Sequence, residues 1–405
     1  MPHSDVLIVG GGPAGVAAAL SLRKAGVQRV TLLDREASLG GATRHCSHSP
    51  FGMLEYGRLY FGAAYGRRLE RDARAAGVEV LTGHSVASLD PDGTVEVSNA
   101  EGLARLSAER VLLSTGARET PRSARMLPGD RPVGVLTTGA LQSYVAFHGL
   151  MPFRRPVILG SELVSYSAAL TCLSHGARPV AMIDTHARPL ARAPVTWFPH
   201  IVGVPVRAGV RIIDILGRSR VEAVRIEHQG TLETFECDGL LVTGNFVPEA
   251  ALLWQAGHEL NLRSGGPAVD QNGRCANPRF FAAGNLLRPI ETGGWAFREG
   301  RAIGLEIARD LRNPPSDRSP VTVTHDEVVK LVVPNLLRRG QAPSPGFDRF
   351  QIRFQKPCRG RLSLEVDGRT RWHRSGTWLP ERRVLVPMPD GVEGSHHIHF
   401  AFREE

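Results

Sequence analysis

The pattern of apolar and polar positions is clearest at the start of the chain. Residues 6–9 form one short apolar run, and a second run ends at Asp34. Such runs predict buried strands, and the helical spacing of apolar residues between them, as far as Lys24, predicts a helix. Strand, helix and strand in this order are typical of a parallel βαβ unit, so the sequence predicts an α/β fold.

A glycine-rich turn joins the first predicted strand to the helix. Gly10 allows a tight turn, Gly12 lets a pyrophosphate approach the backbone, and Gly15 lets the helix pack closely on the sheet. The helix that begins at Pro13 and Ala14 would place its free N–H groups and its positive dipole end beside the phosphates of such a ligand. The turn therefore predicts a dinucleotide site; the alternative is a glycine-rich turn without a ligand.

The second predicted strand ends in a carboxylate. Asp34 follows Gly15 by 19 residues, a position from which it can accept hydrogen bonds from a ribose 2′-OH. We assign Asp34 and the adjacent Arg35 to the same cofactor.

Composition indicates the class of protein but does not specify its function. The chain has 405 residues, 42% hydrophobic and 22% charged, which is typical of a globular protein of two or three domains. Its formal charge of +9 suits phosphate-bearing cofactors and acidic substrates or partners. Only three of the 49 basic residues are lysine, which indicates codon bias. No basic run is interleaved with aromatics, so nucleic-acid binding is not expected.

Cysteine usage and hydropathy predict a cytoplasmic protein. The five cysteines are scattered and include no Cys-x-x-Cys pair, as expected in a reducing compartment. The chain reaches its first strand with almost no lead, so no signal peptide is expected. No apolar run approaches the roughly 20 residues that cross a bilayer, so we expect no membrane span.

The segment after the second strand resembles a known class of flavoproteins. The likeness is carried by Gly40, Gly41, His45, Cys46, His48, Phe51, Gly52, Tyr65 and Arg68. These residues resemble FAD/NAD(P)-dependent oxidoreductases of the pyridine nucleotide-disulfide oxidoreductase-like superfamily, and within it flavoprotein subunits of multicomponent dehydrogenases for opines, amino acids or glycerol 3-phosphate. The resemblance implies a glutathione-reductase-like fold of two Rossmann-like dinucleotide-binding domains, the second inserted in the first. It also implies FAD as the cofactor, with NAD(P)H as a second candidate.

The same resemblance implies further FAD contacts in the first part of the chain. Gly41 and Thr43 belong to the loop that runs under the FAD, and Val86 stands where backbone groups reach the adenine. Thr115 and Gly116 follow an apolar strand and would pass close to the pyrophosphate.

Residues 281–285 resemble the second FAD fingerprint of the family, in which Gly284 is followed here by Asn285. The family usually has Asp at this last position, where it bonds the ribityl chain, and Asn285 keeps the acceptor but loses the charge. Gly294 and Trp295 begin the next helix, whose N-terminus would stabilise negative charge at the pyrimidine edge of the flavin. Trp295 either shields the flavin or packs in the core.

The redox dithiol of glutathione-reductase-like enzymes is absent, because its two positions hold Thr43 and His48 here. We take Cys46, His45 and His48 as the catalytic candidates. In one interpretation Arg44 and the two histidines lower the pKa of the Cys46 thiol and make it a single-cysteine redox centre. In the other, Cys46 is a small buried side chain near the flavin. No fourth ligand is suitably spaced, so no metal site is expected.

A second βαβ unit begins with the apolar run before Gly160 and continues through a helix at 163–175 to a strand that ends at Asp184. The resemblance makes this unit the inserted NAD(P) domain. Its glycines are altered, because Glu162 and Ser165 stand where the second and third glycines belong. Glu162 would place a Cβ and a negative charge where a pyrophosphate needs bare backbone. Gly160 and Asp184 are the candidate residues for a second nucleotide.

Further segments concern the organisation of the chain. Apolar periodicity predicts one helix over residues 56–76, and residues 119–155, rich in Pro, Arg and Gly, predict a crossover. Residues 313–317 predict a linker, and alternating residues from 350 onward, with turns at 367–368 and 389–391, predict a small antiparallel β domain. The expected domains are 1–120 and 251–312 (the two parts of the FAD-binding domain), 121–250 (NAD(P)-binding-like, with the crossover) and 318–405 (β-rich).

These observations favour an enzyme in which hydride or electron pairs pass through FAD. We expect it to act on a small organic substrate within a multicomponent enzyme, with a companion dehydrogenase or electron-transfer protein as its partner. One alternative is a self-contained NAD(P)H-dependent reductase that uses Cys46; another is a non-catalytic subunit that uses the nucleotide fold as a scaffold. The favoured function requires the turn at 10–15 and residues 281–285 to hold opposite parts of one FAD.

Overall fold

The structure is a computed structural model that describes residues 3–48, 50–289, 291–314, 320–338, 346–380, 382–389 and 392–405. Parts of the expected linker at 313–317 and of the expected turn at 389–391 lie outside the described residues. The first part of the chain contains β1 (His3–Val9), α1 (Pro13–Lys24), β2 (Val30–Asp34), a 3-10 turn (Gly41–His45), α2 (Met53–Tyr56), α3 (Gly62–Ala75), β3 (Glu79–Thr82), β4 (Ser85–Leu89), β5 (Thr94–Asn99), β6 (Gly102–Leu113) and β7 (Ala117–Glu119).

The middle of the chain forms a second set of strands and helices. It contains β8 (Val135–Thr137), α4 (Thr138–His148), β9 (Pro156–Leu159), α5 (Leu163–Ser174), β10 (Ala181–Asp184), a 3-10 turn (Val195–Trp197), α6 (Phe198–Ile201), β11 (Val206–Ala208), β12 (Arg211–Leu216), β13 (Ala223–His228), β14 (Thr231–Glu236), β15 (Gly239–Val242) and β16 (Phe246–Pro248).

The last part returns to the first sheet and then becomes β-rich. It contains α7 (Ala251–Gln255), β17 (Phe280–Ala282), a 3-10 turn (Gly284–Leu286), α8 (Gly293–Arg312), β18 (Val321–His325), β19 (Val329–Val333), β20 (Leu336–Leu337), β21 (Arg349–Phe354), β22 (Cys358–Val366), β23 (Arg369–Trp378), β24 (Val384–Pro387), a 3-10 turn (Val392–Gly394) and β25 (Ile398–Glu404).

The first sheet has the strand order β3-β2-β1-β6-β5-β4, and β17 pairs in parallel with β6. Strands β1, β2, β3 and β6 run parallel, so the turns that follow β1 and β6 meet at one edge of the sheet. Residues 6–9 are at most 6% exposed, in agreement with the apolar run that predicted a buried strand. Burial of each large apolar side chain in such a core contributes about 1.5–3 kcal/mol. The predicted α/β fold is confirmed.

The second sheet has the order β11-β10-β9-β15-β8, with parallel pairing throughout. Its strands lie, in chain order, between β6 and β17 of the first sheet, which is the inserted arrangement that the resemblance implied. The crossover expected over 119–155 is wrong in part, because these residues include β8 and α4 of the second unit. The sequence did not predict this short helix because Gly149 and the prolines around it are typical of a loop. Leu141 and Val145 form its buried face.

The helices α1 and α8 pack directly against each other below the first sheet. A Cβ on Gly300 would lie 2.0 Å from the backbone oxygen of Ala14, and one on Gly304 would lie 2.6 Å from that of Ala18. Only glycine permits such close backbone contact. The first turns of α1 therefore pack against the middle of α8, about two turns after α8 begins at Gly293.

The remaining outcomes concern the helix expected over 56–76, the predicted C-terminal β structure and the hydropathy of the helices. The single helix expected over 56–76 is wrong at its start, because the chain turns at Gly57 with φ of +61° and Tyr60 pairs with Phe51 before α3 begins at Gly62. The C-terminal part forms β structure as predicted, with sheets ordered β20-β18-β25-β22-β23 and β19-β21-β24. Its strand pairs are antiparallel, as expected, except that β18 and β25 pair in parallel. None of the described helices combines the length and apolar character needed to cross a membrane.

Candidate functional site

The glycine turn after β1 is shaped by backbone contacts at two of its three glycines. Gly10 has φ of +106°, and a Cβ there would lie 2.5 Å from the backbone oxygen of Ser114. A Cβ on Gly15 would lie 2.0 Å from the backbone oxygen of Gly10. At Gly12, by contrast, the one atom within 4 Å of an added Cβ among the described residues is Cα of Gly41, at 4.0 Å. The space in front of Gly12 is therefore open.

This open space lies at the N-terminus of α1. Gly12 is the N-cap residue, Pro13 is the first helical residue, and no described side chain caps the helix. The first N–H groups of a helix have no intrahelical partner, and together with the helix dipole they attract anions. Proline at the first position removes an N–H group that would have no partner in the helix. The turn thus has the shape and the donors that a pyrophosphate requires.

Asp34 lies where a ribose-binding carboxylate is expected, at the end of β2. Its Oδ2 accepts a hydrogen bond from the Gly11 N–H (2.8 Å), and its Oδ1 accepts one from the Glu36 N–H (2.9 Å). Burial raises the pKa of this carboxyl, although the two backbone donors oppose that rise. Each carboxylate oxygen can accept more than one hydrogen bond, so capacity for a ribose remains. Arg35 is exposed, with its Nε 3.8 Å from Oε1 of Glu36.

The loop after β2 lies against the glycine turn. A Cβ on Gly41 would lie 3.1 Å from Cα of Gly12. Thr43 is buried, and its hydroxyl donates to the backbone oxygen of Gly40 (2.8 Å). The structure therefore brings Gly41 to the site, while the hydroxyl of Thr43 is engaged within its own loop.

The remaining candidates of the first part lie on two other strands. Val86 is on β4, paired with Val97 of β5. The hydroxyl of Thr115 donates to the backbone oxygen of Glu249 (2.7 Å). Gly116 has φ of +79°, and no described atom lies within 4 Å of an added Cβ. The segment after β6 therefore presents open backbone beside the glycine turn, since β6 and β1 are neighbours.

The turn that follows β17 meets the glycine turn directly. A Cβ on Gly284 would lie 2.9 Å from Cβ of Ala14, and a Cβ on Gly293 would lie 3.8 Å from Cγ of Pro13. The segments at 10–15 and 281–285 therefore come together at the N-terminal ends of α1 and α8. Asn285 is fixed by the backbone of Glu291, because its Nδ2 donates to the Glu291 oxygen (3.3 Å) and its Oδ1 accepts from the Glu291 N–H (3.1 Å).

The first turn of α8 lines the same region. A Cβ on Gly294 would lie 2.9 Å from Cδ1 of Leu54, so the α2 segment covers the helix start. Trp295 is 36% exposed, and its ring centroid lies 3.7 Å from Cζ of Arg383 and 5.4 Å from Cζ of Arg298. Core packing, one of the two interpretations of Trp295, is therefore contradicted. The indole lies at the surface between two guanidinium groups, an arrangement stabilised by cation–π attraction.

The sequence analysis missed a buried ionic cluster beneath the Gly284 turn. Arg288 is 1% exposed and forms an ion pair with Glu299. Glu299 also accepts a hydrogen bond from the Gly284 N–H (2.6 Å) through its other oxygen. Burial alone would lower the pKa of Arg288, but the carboxylates of Glu299 and Glu291 raise it, so the guanidinium stays charged. The cluster therefore fixes the backbone of the turn through a charge-assisted hydrogen bond.

The C-terminal sheets complete this cluster. The Glu291 carboxylate pairs with Arg353 of β21 and with Arg383 (3.1 Å), and its side chain is 4% exposed. A slight signal was available, because Arg353 alternates with apolar residues in the strand 349–354. Such alternation is typical of a face exposed to solvent, and Arg349 on this face is exposed, whereas the Arg353 side chain is 5% exposed.

The Cys46 thiol is buried and holds its proton, unlike a reactive thiolate. Its Sγ lies within hydrogen-bond distance of the Ala42 oxygen (3.4 Å) and of Oε1 of Gln142 (3.8 Å), either of which can accept its single proton. Burial raises the pKa of Cys46 to about 12. The interpretation in which neighbouring cations lower this pKa is therefore wrong, because desolvation of the thiolate outweighs their attraction.

The neighbours of Cys46 are engaged elsewhere. Burial, followed by the charge of Arg44, lowers the pKa of His45 to about 4, so its ring is neutral near pH 7. Arg44 pairs with Glu36 (2.9 Å) and lies over the Phe147 ring (5.1 Å to the centroid). The ring of His48 stacks on Phe51, with centroids 5.4 Å apart. The charge of Arg44 is thus shared with Glu36 and the ring of His45 is neutral, while the catalytic assignment of Cys46, His45 and His48 stays a prediction.

The second cradle, at the N-terminus of α5, holds a carboxylate of the chain itself. A Cβ on Gly160 would lie 2.7 Å from Oε2 of Glu162, and one on Gly244 would lie 2.0 Å from its Oε1. Oε2 of Glu162 also accepts a hydrogen bond from the Ser165 hydroxyl (3.1 Å). Glu162 therefore fills the position in which a pyrophosphate would contact the backbone, and a second negative charge there would be repelled.

Asp184 lies at the end of β10, as expected, but its carboxylate already has partners. It is 4% exposed and accepts hydrogen bonds from the Ser161 hydroxyl and from the backbone N–H of His186 (2.8 Å). The Nδ1 atom of His186 lies 2.8 Å from the same carboxylate. The residues of the second cradle therefore do not fit a nicotinamide dinucleotide in this arrangement, whereas those of the first cradle fit a dinucleotide.

Comparison with known proteins agrees with the geometry of the first cradle. The sequence profile of the family described as pyridine nucleotide-disulphide oxidoreductase matches residues 4–300. The alpha subunit of sarcosine oxidase from Rhizobium meliloti (strain 1021) is 28% identical over 357 residues, covering 82% of this chain and 33% of the relative. One of the opine oxidase subunits of Rhizobium meliloti is 28% identical over 317 residues, covering 69% of this chain and 58% of the relative.

A solved structure shares the fold. Thioredoxin reductase from T. acidophilum has a TM-score of 0.62 and 20% sequence identity, covering 77% of this chain and 98% of its own. The chain spans only about a third of the sarcosine oxidase relative and somewhat more than half of the opine oxidase relative. The family profile, however, covers most of the chain. The chain therefore belongs to the pyridine nucleotide-disulphide oxidoreductase family, whose members are flavin-dependent oxidoreductases that use FAD and NAD(P)H.

Proposed function

We propose that this chain is the FAD-binding subunit of a multicomponent dehydrogenase that oxidises a small organic substrate. One observation carries the proposal: the glycine turn and the Gly284 turn meet, with Gly284 next to Ala14 and Gly293 next to Pro13. This contact places two helix N-termini side by side, which suits a cofactor with a pyrophosphate at one end and a redox ring at the other.

Each part of the site has a role in binding and orienting FAD. The backbone around Gly12 binds the pyrophosphate, and Asp34 accepts hydrogen bonds from the adenosine ribose. Asn285 accepts from the ribityl chain, and the N-terminus of α8, which begins at Gly293, stabilises negative charge on the pyrimidine edge of the ring. When bound, FAD supplies the hydride and electron-pair chemistry, and the chain holds the ring in a fixed position and electrostatic environment.

Two features of the chain argue against a self-contained NAD(P)H-dependent reductase that uses Cys46. The thiol of Cys46 is protonated near pH 7, because burial raises its pKa to about 12. The carboxylate of Glu162 fills the second cradle, against Gly160 and Gly244. Electrons that reach the first cradle therefore come more easily from a substrate or a companion subunit than from a nicotinamide held by this chain.

A companion subunit is also supported by the surface beside the site. Met53, Leu54, Leu59 and Phe61, around α2, are 52%, 42%, 58% and 63% exposed. Leu54 contacts the start of α8, so this apolar surface adjoins the proposed flavin site. The two relatives with which the chain was compared are themselves named as subunits of oxidases. We infer that the companion subunit covers this surface and completes the substrate site.

Spectroscopy of the purified chain tests the proposal. The chain reconstituted with FAD should show a bound flavin spectrum, and NADH alone should reduce that flavin slowly. Affinity capture from the native extract should recover a second polypeptide, and candidate amines or amino acids should bleach the flavin only when that polypeptide is present. A chain that stays colourless after addition of FAD would exclude a flavoprotein. Rapid bleaching by NADH that is lost in Cys46→Ser would instead support the self-contained reductase.

A further inference from the structure

A pocket rich in arginine lies at the edge of the first sheet opposite the glycine turn. Its volume is about 260 Å³, and the described residues that line it, here called the arginine pocket, are Arg110, Arg274, Pro278, Arg279, Asp310, Pro314 and Arg338. Pro278 and Arg279 immediately precede β17, whereas Gly284 follows it. Asp310 is in the last turn of α8, whose first turn lies at the flavin site. The arginine pocket and the first cradle are therefore at opposite ends of β17 and α8.

Two of the arginines share one carboxylate. Nε of Arg110 donates to Oδ1 of Asp310 (2.5 Å), and Arg274 pairs with Oδ2 of the same residue. The side chains of Arg110, Arg274 and Asp310 are 15%, 4% and 3% exposed. A single carboxylate cannot neutralise two guanidinium groups, so the inner wall of the pocket carries excess positive charge.

Arg338 forms another wall. Its Nε donates to Oδ2 of Asp270 (2.7 Å), which is fully buried and also accepts from the backbone N–H groups of Asn272 and Arg274. Arg279 lies at the mouth and is exposed. The described residues that line the pocket carry four guanidinium groups and one carboxylate, that of Asp310, while Asp270 pairs with Arg338 and Asp92 interacts with Arg279 from outside the lining.

The buried arginine also has an unused donor. Among the described residues, Nε of Arg274 has no hydrogen-bond partner, although the residue is 3% exposed. Its guanidinium lies 5.5 Å from the centroid of the Phe281 ring, which supports its position but accepts no conventional hydrogen bond. A buried donor without a partner costs about 1–3 kcal/mol, so it is normally retained for a ligand, an ion or a water.

We propose that the arginine pocket binds an anion that carries two phosphoryl groups. Guanidinium groups match phosphoryl oxygens through paired N–H donors, and in the pocket lining the guanidinium groups outnumber the carboxylates. The volume corresponds to about eight or nine waters at roughly 30 Å³ each, which leaves room for a second phosphoryl group beside the first. In this proposal Arg274 provides the buried donor, and Arg110 and Arg338 form the walls of the pocket. Arg279 covers the ligand at the mouth.

Calorimetric titration of the FAD-saturated protein with inorganic pyrophosphate tests this site, because FAD then occupies the first cradle. Arg279→Gln should raise the Kd about tenfold, since it removes one charge-assisted contact. Arg110→Gln should act in the same direction. The matched control is Arg211→Gln, an exposed arginine of β12 in another sheet, which should leave the Kd unchanged. All titrations are made at constant ionic strength, because salt screens exposed charges.

A second titration, with ADP, distinguishes a nucleotide from free diphosphate as the source of the phosphoryl groups. ADP that binds more tightly than pyrophosphate would assign the pocket to a nucleotide, and equal affinity would assign it to free diphosphate; both results support the site. The proposal is overturned if pyrophosphate does not bind the wild-type protein at millimolar concentration, or if Arg279→Gln and Arg211→Gln weaken binding equally. Arg279 is exposed, so its replacement leaves the fold intact and keeps the test decisive even if Arg110→Gln disturbs the pairing with Asp310.

Discussion

The substitution Gly12→Ala separates cofactor binding from folding. Gly12 has φ of −75° and ψ of −176°, an extended conformation that any residue adopts. An added Cβ would meet, among the described residues, Cα of Gly41 alone within 4 Å, at 4.0 Å. Glycine-to-alanine changes at compatible positions stabilise proteins by about 0.4–1 kcal/mol through the unfolded state. Gly12→Ala should therefore fold at least as well as the wild-type chain.

The same methyl group should weaken FAD binding, because it stands between the backbone and the proposed position of the pyrophosphate. A displacement that removes one hydrogen bond from a backbone N–H group to a charged phosphate costs about 1.5–3 kcal/mol. At about 1.4 kcal/mol for each factor of ten, the Kd for FAD should rise about 10- to 150-fold. Quenching of flavin fluorescence measures this Kd, and urea unfolding measures stability in the same preparation.

Two other glycines provide controls. Gly376→Ala in β23 adds a Cβ whose nearest described atom is 3.9 Å away in Trp378, so FAD affinity should not change and stability should rise slightly, as for Gly12→Ala. Gly15→Ala adds a Cβ 2.0 Å from the Gly10 oxygen, so it should destabilise the fold by about 1–3 kcal/mol or more. If Gly12→Ala binds FAD as tightly as Gly376→Ala, the pyrophosphate does not lie at this turn and the proposed flavin site is refuted.

Four further changes test the other assignments. Glu162→Gly should open the second cradle and lower the Kd for NADH about tenfold or more, whereas Glu162→Gln keeps the bulk and should lower it less; NADH fluorescence measures both. Cys46→Ser should change flavin reduction by less than about twofold, because the thiol is protonated, and a large loss in stopped-flow experiments would contradict this. The pKa of His45 is lowered from 6.5 to about 4, so the wild-type chain should lose roughly 2–3 kcal/mol of stability as pH falls from 6.5 to 4, and His45→Gln should flatten that loss in urea unfolding. Arg353→Met should cost about 3 kcal/mol by breaking a buried ion pair, and Arg359→Met, at an exposed position of β22, should cost almost nothing in the same assay.

Local sequence patterns predicted the parts of the fold that depend on local physics. The first βαβ unit was located from its apolar runs, and its turn from Gly10, Gly12 and Gly15, because each of these signals lies within about 30 residues. The positive φ at Gly57 was not anticipated, so a broken helix was taken as continuous. A glycine in a helical pattern is ambiguous until the contacts of its neighbours, here Tyr60 with Phe51, are known.

The features that the sequence did not predict, the environment of Cys46 and the position of the Glu162 side chain, depend on contacts between distant segments. The environment of Cys46 depends on burial against α4, which lies about 90 residues away in the sequence, and desolvation there outweighed the nearby cations. The sequence predicts that Glu162 is unfavourable for a pyrophosphate, and this stays a prediction. Its actual position against Gly244 depends on a loop some 80 residues further along the chain, which no local pattern reports.

The C-terminal β structure is part of the proposed flavin site through the Glu291 carboxylate. Arg353 and Arg383 hold this carboxylate from one side, and the Glu291 backbone binds both polar atoms of Asn285 from the other. Buried ions without partners are strongly unfavourable, so neither the strands nor the Asn285 turn can move without disturbing the other. The neutral amide of Asn285 replaces the usual carboxylate of the family where the region already contains Glu291 and Glu299. The Nδ2 group of Asn285 donates to the Glu291 oxygen, and an ionised carboxylate has no proton to donate there, which gives a physical reason for the amide.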